Sequence, residues 1–133
     1  MAAHYHAVVW IDHREARIFH FNAEEAERSL VHADRPTRHL HHKAGVIGSG
    51  HAPEDQDFFE RVVTSVGDAG IILIIGPANA KTELVKHIKR CAPEVGTKIA
   101  AVETVDHPTD GQLLDHARRY FWADHQAPKR TMR

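Results

Sequence analysis

Ile71-Ile72-Leu73-Ile74-Ile75, closed by Gly76-Pro77-Ala78-Asn79, governs how the rest of this chain is read. Five consecutive aliphatic residues leave no polar face, which marks a strand covered on both sides rather than one half exposed to water. Strands of that kind lie in the middle of sheets whose parallel neighbours return through helices. Helical patterns flank it on both sides. Upstream, Pro53-Glu54-Asp55-Gln56-Asp57 places proline and acids in a first helical turn, where the helix dipole favours them. Phe58, Phe59, Val62, Val63 and Val66 then recur as one apolar stripe, and Gly67-Asp68-Ala69-Gly70 ends the helix. Downstream, the Gly76 turn opens a helix with Leu84, Val85 and Ile88 on its buried side. Pro93 to Gly96 reads as a connector and Lys98 to Val105 as another strand. A last helix, capped by Thr109 or Asp110, turns Leu113, Leu114, Ala117, Tyr120 and Phe121 inward.

The N-terminal part has a shorter period. Tyr5 to Ile11 is dense in β-branched and aromatic residues and reads as a strand. Asp12-His13-Arg14-Glu15 is a tight turn, since aspartate suits its first position. Ala16 to Phe21 follows as a second strand, with Ile18 and His20 pointing one way and Arg17, Phe19 and Phe21 the other. After the acidic turn Asn22 to Glu25, a third strand covers Arg28 to His32. Ala33 to Ala52 has no periodic apolar pattern and is expected to be a long loop, a length that is uncommon inside compact domains without a role. The order β-β-β-α-β-α-β-α predicts a meander followed by two crossovers. The result is an α/β fold of ribonuclease-H-like plan, a mixed five-stranded sheet with helices on its faces. An α/β sandwich with another strand order satisfies the same pattern. Residues 1–126 are expected to form a single domain, and 127–133, with Lys129, Arg130 and Arg133, a disordered basic tail.

Composition bounds the function. The chain has 133 residues, 42% apolar and 26% charged, which is ordinary for a globular domain. A net charge of −1 gives no global basic field, although thirteen histidines would make the chain cationic below about pH 6.5. The single cysteine, Cys91, cannot form an internal disulfide and reads as an inert thiol at a helix end. The N-terminus lacks the basic and apolar regions of a signal peptide. The apolar runs Ala7 to Ile11 and Ile71 to Ile75 are too short to span a membrane. A cytoplasmic protein with no membrane partner is expected.

Two enzymatic readings are weakened by particular residues. Two-metal cleavage of nucleic acid needs carboxylates converging on ions about 4 Å apart. Asp12 could supply one, and Glu54, Asp55 or Asp57 a second, but the central strand ends in Gly76-Pro77-Ala78 with no acid. Asp106, Asp110 and Asp115 near the last strand and helix leave the set incomplete. Gly76-Pro77-Ala78-Asn79-Ala80-Lys81-Thr82 sits where a phosphate loop would, yet it lacks the second glycine and is one residue short. Pro77 also removes a backbone donor. What remains is a candidate anion site at a helix start, formed by Gly76, Asn79, Lys81 and Thr82, with Asn79 an ordinary N-cap on the simpler view. No cofactor is expected.

The stretch Ala69-Gly70-Ile71-Ile72-Leu73-Ile74-Ile75-Gly76-Pro77-Ala78-Asn79-Ala80-Lys81-Thr82-Glu83-Leu84 resembles the middle domain of archaeal and eukaryotic peptide-chain release factors and their Pelota-like ribosome-rescue relatives. The opening strands, Ala7 to Asp12 and Ala16 to Phe19, fit the first hairpin of that domain. The resemblance extends topologically over residues 5–122 and is most specific from Gly70 to Leu84. It is most similar to stand-alone bacterial proteins described as translational-machinery components. It implies a ribonuclease-H-like fold and a ribosome or structured RNA as partner. Release factors carry Gly-Gly-Gln in the loop after the third strand. Here that loop reads Lys43-Ala44-Gly45-Val46-Ile47-Gly48-Ser49-Gly50-His51, and Gly-Gly-Gln occurs nowhere in the chain. Peptidyl-tRNA hydrolysis by the family mechanism is therefore not expected.

Arg35, Arg38, His39, His41, His42 and Lys43 make a local basic patch in that loop, suited to phosphate contacts but without aromatic residues for base stacking. A solvated loop is the simpler reading. His39, His41, His42 and His51 are weak candidates for a metal, with no cysteine pair to support a structural site. Two functions stand at this point. One is a non-catalytic RNA- or ribosome-associated module; the other is a small hydrolase or nucleotide- or anion-binding enzyme using the Asp12 region and the Gly76 turn. Oligomeric state is left open.

Overall fold

A computed structural model describes residues 5–33 and 53–123. β1 (His6–Ile11), β2 (Glu15–Phe21) and β3 (Ala26–His32) form an antiparallel meander. α1 (Pro53–Val66) leads to β4 (Ile71–Gly76), and α2 (Ala80–Cys91) with a short helical turn, α3 (Pro93–Gly96), leads to β5 (Ile99–Thr104). α4 (Asp110–Arg118) continues into a π-helical turn, Arg119–Ala123. The sheet order is β3-β2-β1-β4-β5, with β1, β4 and β5 parallel. This is the ribonuclease-H-like plan.

Register explains why β1 and β4 are the most apolar strands. Val8 lies between Phe19 on β2 and Leu73 on β4, so β1 has paired neighbours on both sides. Ile72, Leu73, Ile74 and Ile75 are fully buried, as expected of a strand with helices above and below. One face of the sheet (Ala7, Val9, Ile11, Ile18, Ile72, Ile74) packs against Phe58, Phe59, Val62 and Val66 of α1 and Leu84 and Ile88 of α2. The other face (Val8, Trp10, Phe19, Phe21, Leu73, Ile75) meets Leu113 and Ala117 of α4, with Tyr120, Phe121 and Trp122 of the π turn packed around them.

The structure departs from expectation at weakly patterned places. β3 begins at Ala26, two residues early, because most of its side chains are exposed and carry no alternation. Pro93 to Gly96 is a helical turn rather than a plain connector, with proline at its start and Thr97 N–H returning to Pro93 O at 3.2 Å. Of the two caps considered for α4, Thr109 is the one used. Its hydroxyl accepts from Gln112 N at 3.1 Å, and its own N–H donates to Gln112 Oε1 at 2.9 Å, a reciprocal capping box. Among the described residues, no helix is long and apolar enough to cross a membrane.

Candidate nucleic-acid interface

β3 runs in the same direction as β1, so the carboxyl ends of β1, β3, β4 and β5 gather at one end of the sheet. In open α/β sheets ligands bind outside that end. Here it carries Asp12, the His32–Ala33 exit of β3, the Gly76 turn and the Val105–Asp110 connection.

Asp12 is committed to its own turn. Its Oδ1 accepts the backbone N–H groups of Arg14 (2.8 Å) and Glu15 (3.0 Å), and the turn closes with Asp12 N–H on Glu15 O at 3.0 Å. The other oxygen lies 3.7 Å from His107 Nε2. Asp106 is exposed but meets the other nitrogen of the same imidazole, with His107 Nδ1 3.0 Å from its Oδ1, whereas Asp57 pairs with Arg61 at 3.0 Å and Asp115 with Arg119 at 3.1 Å.

A polar network links β2 to the β5–α4 connection. Arg17 lies over the Trp10 ring at 4.4 Å, donates to Pro108 O at 2.9 Å and meets Asp110 at 3.0 Å. Arg28 reaches the other Asp110 oxygen at 2.5 Å, and Trp10 Nε1 donates to Asp106 O at 2.8 Å. Burial alone would raise the Asp110 carboxyl, but the hydrogen bonds and charges of Arg17 and Arg28 outweigh it and hold the group below the usual carboxylate range. Sequence placed Arg17 on the side of Phe19 and Phe21 without giving it a partner. A charged residue on a buried strand face was the available signal, but its partner lies far along the chain.

The Gly76 turn is shaped by packing. A Cβ on Gly76 would stand 2.2 Å from Ile11 O, so only glycine lets β4 end this close to β1. Asn79 stands at the N-cap and its carbonyl accepts Glu83 N–H at 3.0 Å, but its backbone (φ −85°, ψ −12°) is already helical rather than extended and its side chain makes no capping hydrogen bond. Lys81 is buried and folds back to donate to Ala78 O at 2.5 Å, while Thr82 is exposed. The lysine thus serves the turn's own carbonyl.

The root of the basic segment is defined on its described side. Ala33 N–H donates to Arg14 O at 2.8 Å, and Arg61 Nη2 donates to His32 O at 2.8 Å. His13, Arg14, Glu15, His32 and Ala33 line an open cavity of about 410 Å³. Arg35, Arg38, His39, His41, His42, Lys43 and His51 lie outside the described residues, as do residues 127–133.

No family model matches the chain, and no curated protein matches it by sequence. Solved structures do. Archaeoglobus fulgidus Pelota superposes over 87% of this chain and 31% of its own, with a TM-score of 0.62 and 14% identity. The archaeal translation termination factor aRF1 matches 83% of this chain and 32% of its own, with a TM-score of 0.52 and 11% identity. The chain has the fold of one part of these factors. Dom34 from S. cerevisiae, described as a translation termination-like factor involved in RNA quality control, matches 94% of this chain and 35% of its own, with a TM-score of 0.55 and 8% identity. The chain thus spans about a third of the length of each, and at these identities the likeness is one of fold.

Proposed function

We propose that this chain is a non-catalytic, translation-linked module, acting in the cytoplasm, that contacts ribosomal or other structured RNA through the basic segment Arg35 to Lys43. The observation that carries the reading is the fold shared with part of Pelota, aRF1 and Dom34. Local charge supports it. The segment follows in sequence on the β3 exit, where His13, Arg14, Glu15 and His32 line an open cavity and Arg61, paired with Asp57, holds the His32 carbonyl. Phosphate contacts of this kind position a protein without reading sequence. The lack of Gly-Gly-Gln separates the role from peptide release.

Co-sedimentation with ribosomes across a salt titration tests the proposal. Association is expected to fall linearly in log–log form. Replacing Arg38 and Lys43 together with Ala should weaken it and reduce the slope by roughly 0.7–0.9 for each phosphate left without its cation. Lowering the pH toward about 6 should strengthen binding as imidazolium charge is added, whereas a histidine-bound metal would give the opposite trend because protons displace it. Binding that is absent, or indifferent to both salt and the double substitution, would remove the reading.

A further inference from the structure

A second group of chemically capable side chains lies away from the loop end, where α1 packs against α2. His87 and Cys91 are four positions apart on α2, so their side chains share one face. Glu60 enters from α1, placing its Oε2 3.1 Å from His87 Nε2. The imidazole is 2% exposed and its ring lies 5.6 Å from that of Phe59. Its Nδ1 is buried without a hydrogen-bond partner, although buried polar atoms are generally satisfied. The polar contact of this ring is therefore made through Nε2, the nitrogen facing the carboxylate. One ligand atom each from Glu60, His87 and Cys91 lies within 4.8 Å of the other two.

We propose that Glu60, His87 and Cys91 bind one Zn²⁺ ion through carboxylate, imidazole Nε2 and thiolate, with water completing a tetrahedron. Zinc bonds of about 2.0–2.3 Å place neighbouring ligand atoms roughly 3.3–3.7 Å apart. His87 is held by burial with its Nε2 already 3.1 Å from Glu60 Oε2, and the exposed side chains of Glu60 and Cys91 close on that spacing by rotation from within 4.8 Å. A mixed sulfur, nitrogen and oxygen set suits zinc and disfavours Mg²⁺ and Ca²⁺, which take oxygen ligands. The ion would tie the two helices that cover one face of the sheet. This site is distinct from the histidines of the basic segment.

The chain's single cysteine makes the test assignable. Titrating the full protein with Co²⁺ as the probe, thiolate-to-metal charge transfer in the near ultraviolet can arise only at Cys91. One equivalent is expected to produce that band together with tetrahedral visible absorption, and Zn²⁺ is expected to displace it. Cys91→Ser should abolish the band. Cys91→Ser and Glu60→Gln should each weaken Zn²⁺ binding roughly tenfold or more, and both change exposed positions, so circular dichroism should stay unaltered. In the unmodified protein, Zn²⁺ should also slow alkylation of Cys91, which keeps the test decisive if a variant misfolds. Co²⁺ binding without a thiolate band, Zn²⁺ affinity unchanged in either variant, or alkylation indifferent to Zn²⁺ would overturn the proposal.

Discussion

The two faces of the sheet are closed by different chemistry. Toward α1 and α2 the contact is hydrocarbon, with Ile11, Ile18, Ile72 and Ile74 against phenylalanine, valine and leucine. Toward α4 it begins in the same way at Leu73, Ile75 and Leu113, then passes into Trp10, Arg17 and Arg28. Strand spacing accounts for the difference. A helix about 10 Å wide covers about two strands spaced 4.8 Å apart, so two helices nearly roof five strands and one does not. Beyond α4, the aromatic side chains of the π turn cover Phe21, and arginines complete the rest. Arg118 donates to the carbonyls of Asn22 (3.0 Å) and Glu25 (3.1 Å), and Arg17 to that of Pro108 (2.9 Å), tying the helix and its leading connection to the meander. Arginine suits this position because its stem covers apolar surface while its head finds carbonyls and carboxylates. Where α4 runs out, aromatic rings and guanidinium groups share the cover.

The largest test compares one buried leucine from each face. Leu84→Ala and Leu73→Ala should each cost about 2–5 kcal/mol in denaturant unfolding, since both side chains are fully buried. A much smaller cost at Leu73 would mean that the singly covered face collapses around the cavity, and the contrast between faces would become one of rigidity. Asp110→Asn comes next and probes the arginine cover. Its ion pairs are partly exposed, so a loss of about 1 kcal/mol at neutral pH is expected. The Asp110 carboxyl is depressed in the folded state. Its contribution is therefore present above the unfolded pKa and lost as pH falls through the folded one. The gap between wild type and Asp110→Asn should close on acidification below the usual carboxylate range; a gap that persists there would show that charge is not what Asp110 supplies. The smallest effect belongs to the sheet's edge. Val102 on β5 is 42% exposed, and Val102→Thr should stay within about 0.5 kcal/mol of wild type, a larger loss indicating that β5 is covered in solution.

The same contrast explains what the sequence disclosed. β1, β4 and the α1 stripe were legible because burial on a paired strand or a helix face imposes a period. The polar cover was not, since Arg17 and Asp110 are brought together only by the completed sheet. His87 shows a similar limit: Leu84, Val85 and Ile88 outlined the buried side of α2, whereas His87 proved buried and Val85 only partly so. The spacing of His87 and Cys91 was visible, but Glu60 joins them only through helix packing. Asn79 does hold the N-cap position that its residue type suggested, its carbonyl accepting Glu83 N–H at 3.0 Å, but its side chain makes no capping hydrogen bond. The basic segment was conspicuous by charge alone, and Arg35 to His51 fall outside the described residues.

The position of β1 has a kinetic consequence. β1 pairs with β2 over a short turn, but with β4 only across the whole stretch containing β2, β3 and α1. The meander can therefore zip from local contacts during synthesis, while the parallel edge of β1 stays bare until Ile71 to Ile75 has been made. Closing that longer gap carries the larger chain-entropy cost and belongs to the later, slower phase of folding. Until then the nascent chain exposes an unpaired, apolar strand edge, the kind of surface that chaperones shield and that other unfinished chains can join.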